Sequence, residues 1–119
     1  MKRLRATRGA QVWARRKVSR RDLVRFGRAP GVAVVCLTRC RIRGSSGLAT
    51  GVRAVRGSRR RKTALVAGAG QAHVLSLAIN RAERQALRRA RRSRARFRVS
   101  VSATGVRTSA LEPSLPVGR

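Results

Sequence analysis

Ala95-Arg96-Phe97-Arg98-Val99-Ser100-Val101-Ser102-Ala103 is the stretch whose reading decides the fold. Every second residue is apolar and the residues between are Arg or Ser, the period of a strand with one face in a core and the other in water. Residues 95–103 are therefore predicted as a half-buried β-strand, with Phe97 a core side chain rather than a stacking platform. The residues just before it change period. Asn80 has the chemistry of a helix N-cap and Glu83, three residues on, completes a capping-box pattern. Ala82, Ala86, Leu87 and Ala90 then fall at helical spacing. One short helix is predicted over about 81–92, its outer face formed by Arg84, Arg88, Arg89, Arg91 and Arg92. Upstream again, His73, Leu75, Leu77 and Ile79 share one face of an alternating run while Val74, Ser76 and Ala78 share the other, which predicts a buried strand.

Further towards the N-terminus, Pro30-Gly31 is a turn signal, and Val32 to Cys36 is a β-branched run read as a well-buried strand. Cys40-Arg41-Ile42-Arg43 alternates with Arg directed to water. Gly44-Ser45-Ser46-Gly47 reads as a loop, Val52 to Arg56 as a short strand, and Gly57 to Lys62 as a charged turn. Residues 19–27 read either as a short helix stopped by Gly27 or as an extended lead-in. Residues 1–20 carry eight cations and no acid, and are expected to form a flexible basic arm that Trp13 pins in part to the body. Val106 to Ala110 reads as a last strand, and residues 111–119, with Pro113 and Pro116, as a loose tail. Short strands with a turn signal about every ten residues favour a mainly β, antiparallel sandwich over 21–110, with the one helix and the arm appended.

Composition bounds the function. Of 119 residues 31 are Lys or Arg, against three acids (Asp22, Glu83 and Glu112), for a net charge of +28. Arg accounts for all but Lys2, Lys17 and Lys62. A GC-rich coding bias loads solvated positions with Arg, but it does not explain the shortage of acids, since Asp and Glu codons are also GC-rich. A surface so unbalanced attracts polyanions: nucleic acid, an anionic cell-wall polymer or an anionic lipid surface. Trp13, Phe26 and Phe97 are the only aromatic residues, so the predicted core is thin and built from Ala, Val and Leu. No apolar run is long enough for a transmembrane helix. Met1 to Arg5 has the charge of a secretory n-region, but no apolar stretch follows it, and no secretory signal is expected in this sequence.

No constellation for catalysis stands out. His73 is the single histidine, the acids are scattered, and the Ala67-Gly68-Ala69-Gly70 run lacks the Lys-Ser/Thr of a phosphate loop. No enzyme, small-molecule substrate, metal or cofactor is expected. Cys36 and Cys40, the two cysteines, would lie about 13 Å apart on one straight strand, too far to bond. They are either two buried thiols or a pair joined across a bend at Leu37-Thr38-Arg39. With one distant His they cannot fill a tetrahedral zinc site. The basic clusters that could grip a polyanion backbone are 15–21, with Arg15, Arg16 and Lys17; Arg59, Arg60, Arg61 and Lys62; and Arg88, Arg89, Arg91 and Arg92, together with Arg94. Each also reads as an ordinary solvated face. A nucleic acid bound by them, as in a basic ribosomal or nucleoid protein, would be held without sequence preference.

Three stretches carry a family resemblance. The first runs from Asp22 through Gly27 into Val32 to Ile42, the second is Ala69-Gly70-Gln71-Ala72-His73-Val74-Leu75-Ser76-Leu77, and the third joins Asn80 to Ala90 with Phe97 to Thr104. In order and spacing they resemble the immunoglobulin-like β-sandwich modules of large, Arg-rich secreted and cell-surface proteins of high-GC actinobacteria. The likeness covers roughly residues 22–104. Such modules close with an Asp-Ala-Ala-Gly-Asn type turn and another strand, where this chain has Gly105-Val106-Arg107-Thr108-Ser109. The resemblance implies a bend that joins Cys36 to Cys40 as a disulfide. It also implies a non-enzymatic structural or surface-interaction unit of a larger extracellular architecture.

Overall fold

The computed structural model describes residues 2–6, 10–50, 53–54, 61–90, 92–103 and 110–118; at 5, 6, 53 and 54 it describes the backbone alone. In chain order the elements are β1 (Lys2–Ala6), β2 (Ala10–Ala14), β3 (Val18–Ser19), α1 (Arg20–Phe26), β4 (Arg28–Cys36), β5 (Cys40–Thr50), β6 (Arg53–Ala54), β7 (Arg61–Ala67), β8 (Ala72–Ala78), α2 (Arg81–Arg89), β9 (Ser93–Ala103) and β10 (Ser114–Gly118). The protein is mainly β. One antiparallel sheet has the order β1-β2-β4-β8. The second runs β3-β10-β9-β5, and the far edge of β5 pairs with β7 along Cys40–Ser46 and with β6 at Ala49 and Thr50. The second sheet is mixed, because β10 pairs parallel with β3. Both sheets contribute to one core. Val12, Val32, Val34, Leu75 and Leu77 come from the first, and Ile42, Leu48, Phe97, Val99 and Val101 from the second.

β9 follows its sequence pattern: Ala95, Phe97, Val99 and Val101 are buried, and Arg94, Arg98 and Ser102 are exposed. Phe97, 1% exposed, is the largest fully buried side chain. A Cβ on Gly31 would come within 2.4 Å of its ring, so glycine lets the ring lie against the backbone of β4. The expected buried strand at 73–79 is β8. The helix near 81–92 is α2, closed at its start by the reciprocal bonds Glu83 N to Asn80 Oδ1 (2.8 Å) and Asn80 N to Glu83 Oε1 (3.0 Å). It ends at Arg89, three residues early, because Ala90 already has extended backbone leading into β9. The Arg20 guanidinium donates to Leu87 O and to Ala90 O (3.0 Å), satisfying carbonyls that the last turn leaves open.

Four expectations are corrected. The described residues of the expected arm are not flexible lead-in but supply β1, β2 and β3: Ala10, Val12 and Ala14 alternate inward and are buried. Three small apolar residues are a faint signal among so many cations. A second helix, α1, is present, with Ser19 accepting from Asp22 N and Gly27 closing it at φ 75°. Gly44-Ser45-Ser46-Gly47 is no loop: it lies inside β5, paired with β9 in unbroken register and, as far as Ser46, with β7 on the other side. Pairing on two edges outweighs local turn propensity. The tail holds β10, with Leu115 and Val117 buried. Pro116 is tolerated because β3 joins this strand only from Val117 onward, so at Pro116 β9 is the one neighbour. The strand expected at 106–110 falls largely on residues outside those described.

Cys36 ends β4 and Cys40 begins β5, so the chain crosses from one sheet to the other between them. The bend brings their Cα atoms to 6.1 Å and the two are joined as a disulfide.

Candidate functional site

The two sheets present very different faces to solvent. On the second sheet, Arg41 and Arg43 of β5 and Arg94, Arg96 and Arg98 of β9 project outward at every second position, and Lys62 of β7 joins them. Cross-strand register sets their spacing. Ser45 stands between Lys62 and Arg98, Arg43 between Ala64 and Ser100, and Arg41 between Val66 and Ser102. Arg96 pairs with Gly47 and Arg94 with Ala49. No cation therefore stands directly opposite another on a neighbouring strand, the placement that costs most in repulsion. The result is a staggered lattice with a repeat of roughly 7 Å along each strand and about 4.8 Å between strands. Within it Arg43, Lys62 and Arg98, with Ser45 and Ser100, line an open groove of about 570 Å³.

Few carboxylates oppose this charge. Asp22 lies in the first turn of α1, and Glu83 is buried in the capping box of α2. Glu112 approaches the lattice, 3.8 Å from Arg98 Nε with both side chains well exposed, a contact worth little in water. Arg94 is held in place by Ser114, through Nε to Oγ at 2.7 Å and Nη2 to the carbonyl at 2.8 Å. Its remaining donors are thereby positioned without being neutralised.

The outer face of the first sheet contrasts with this. Its central rows carry Gln11, Trp13, Ala33, Val35, Ala72 and Val74, with no cation among them. Among the described residues the cations of this sheet stand at its margins, Lys2 and Arg3 on β1 and Arg28 at the start of β4. Helix α2 has its own basic stripe: Arg81, Arg84 and Arg88 line a smaller groove of about 450 Å³ with Ile79, Asn80 and Gln85.

Of the cations singled out from the sequence, only Lys62 lines the lattice groove. Arg61 sits on the same strand with its Nε bonded to Ala78 O (3.0 Å), across to the other sheet. Arg15, Arg16 and Lys17 are exposed between β2 and β3; Arg88 and Arg89 are exposed in the last turn of α2, and Arg92 just beyond it. Arg59, Arg60 and Arg91 lie outside the described residues. Runs of adjacent cations drew attention that belonged to alternating ones. Arg-x-Arg in 41–43 and Arg-x-Arg-x-Arg in 94–98 was the informative signal, since two paired strands of that pattern build a charged plane. Among the described residues no three His, Cys, Asp or Glu side chains form a metal-binding group, and no helix is long and apolar enough to cross a membrane. Searches against family models, curated proteins and solved structures find no match to the chain.

Proposed function

We propose that this chain is a non-enzymatic interaction module, an immunoglobulin-like sandwich that binds polyanions through the outer face of its larger sheet. The observation that carries the reading is the staggered lattice of Arg41, Arg43, Lys62, Arg94, Arg96 and Arg98, set against an uncharged centre on the opposite face. The larger sheet carries its cations across the middle of its outer face, whereas those described on the smaller sheet stand at its edges. The immunoglobulin likeness is supported by strand order. β2-β4-β8 facing β10-β9-β5-β7 matches the arrangement in which strands A, B and E oppose G, F, C and C′. The Cys36–Cys40 disulfide fits an oxidising compartment, where a surface module would work.

Binding is to the backbone of the polymer. Phe97 is buried, Trp13 lies on the other sheet and Phe26 ends α1, so the lattice offers no aromatic platform for bases. Nucleic acid, polyphosphate and wall polymers should therefore compete on charge density alone. The test is a titration of duplex DNA and of polyphosphate at several salt concentrations. The logarithm of affinity should fall with that of salt with a slope near −0.9 per phosphate contacted on duplex DNA, corresponding to at least roughly three contacts. The triple substitution Arg43→Ala, Lys62→Ala, Arg98→Ala should flatten that slope by about 3. An unchanged slope in a folded triple variant would rule out this face.

A further inference from the structure

The sandwich is open along one side. β7 belongs to the larger sheet and β8 to the smaller, and the chain passes between them through a short turn. That turn is held by Gly68 N to Gln71 Oε1 (3.0 Å) and Gly70 N to Cys36 O (2.7 Å). Below the turn the two sheets part and leave a cleft of about 250 Å³ between β5 and β7 on one side and β8 on the other. Its deepest walls are Phe97 and Leu75, both buried, joined by half-buried Leu65. Its outer part is cationic, with exposed Arg28 and Arg61 and no carboxylate among the lining residues. Arg61 reaches across the gap through its Nε bond to Ala78 O, and its two terminal nitrogens have no partner among the described residues. His73 stands on the same wall, and its buried Nε2 has no hydrogen-bond partner among the described residues.

We propose that this cleft is a binding site for a small amphipathic carboxylate, an acid with a short aryl or alkyl body. Each part of that ligand answers a feature of the site. An apolar body packs on half-buried Leu65 and exposed Val74, above a floor closed by Leu75 and Phe97. A carboxylate meets the Arg61 guanidinium in the planar geometry that favours Arg over Lys for such pairs, with Arg28 adding a second charge. The orphaned His73 nitrogen gains a partner that the fold itself withholds. Size sets the class: an apolar cavity of roughly 150 Å³ accepts benzene, so this cleft takes one ring and a short acid chain. Inorganic phosphate and polymeric anions lack the apolar body and belong on the outer lattice. The site is separable from the polyanion reading: the cleft and the lattice groove share Gly44, Ser45 and Thr63, but Arg43, Lys62 and Arg98 are not part of the cleft lining.

The probe is 3-phenylpropionate, added to the full chain and followed by amide chemical shifts and calorimetry. Saturable binding in the roughly millimolar range suits a ligand of about a dozen heavy atoms. Its shift changes should centre on Leu65, His73 and Leu75. Propionate, which has the head without the body, and 3-phenylpropylamine, which has the body with the opposite charge, should bind at least about tenfold more weakly. Arg61→Gln, at an exposed position, should weaken the acid about tenfold with no loss of fold. Ser46→Leu, which fills the cleft from β5, should abolish binding if it folds, and Arg61→Gln decides the matter if it does not. Equal binding of acid and amine, shifts centred on Arg43 and Ser100, or no saturation would each overturn the proposal.

Discussion

Phe97 and Gly31 belong to different sheets and lie far apart in sequence, yet each fixes the other. The ring occupies the space where a Cβ of residue 31 would sit, 2.4 Å from Cζ and 2.6 Å from Cε2. Both contacts are far inside van der Waals distance, so Gly31→Ala must displace the ring or the β4 backbone. We expect it to destabilise the protein by about 1–3 kcal/mol, the range for overpacking a core. Phe97→Leu alone should cost a few kcal/mol as a truncation, but it removes the clash. The double variant should therefore be less destabilised than the sum of the singles, by at least about 0.5 kcal/mol. Urea unfolding of the four proteins measures this, and simple additivity would mean the ring does not rest on Gly31. At this scale the sequence was half readable. Alternation placed Phe97 inside, whereas Gly31 read only as the second residue of a Pro-Gly turn. Its closeness to Phe97 is a contact between sheets, and no local pattern encodes it.

Elements were legible where the side-chain period was long and strongly contrasted. β8, β9 and α2 show seven or more residues of clean alternation or helical spacing, and the structure has all three. β2 and β10 were missed because each buries only two or three small or mid-sized residues, and a pattern so short is lost among cations or prolines. α1 illustrates what such reading leaves out. The Ser19 and Gly27 signals are local and visible, but the role of Arg20 is not: its guanidinium leaves α1 to bind the C-terminal carbonyls of α2 at Leu87 and Ala90. A cation there also faces the negative end of the α2 dipole. Arg20→Ala should cost about 1–2 kcal/mol, since it strands two acceptors and removes the favourable charge. Arg20→Lys should recover only part of this, because a single ammonium replaces a fork. Amide exchange should show the loss concentrated in the last turn of α2. Protection falling equally in β9 and β4 would mean that Arg20 supports the whole core rather than that helix end.

For the whole molecule the net charge of +28 sets folding and binding at odds. Compaction gathers the cations of the lattice into one plane, where Glu112 forms an ion pair with Arg98, a cost that the unfolded chain relieves by spreading them out. Staggering lowers this repulsion without removing it, and under the proposed function the lattice is kept despite it for contact with anions. Salt should then act in opposite directions on the two properties. It screens the repulsion and stabilises the fold, and it would weaken polymer binding by shrinking the gain from counterion release. The triple substitution Arg43→Ala, Lys62→Ala, Arg98→Ala makes the conflict measurable. At about 10 mM ionic strength, where the screening length is roughly 30 Å, the variant should melt higher than the parent. At about 1 M, with screening down to roughly 3 Å, the difference should vanish or reverse, since Ala recovers none of the strand packing of the long side chains. Its polyphosphate affinity should be lower at both. A variant less stable than the parent at low salt would show that these side chains are kept for packing across β5, β7 and β9, and the lattice would lose its claim to be a binding surface.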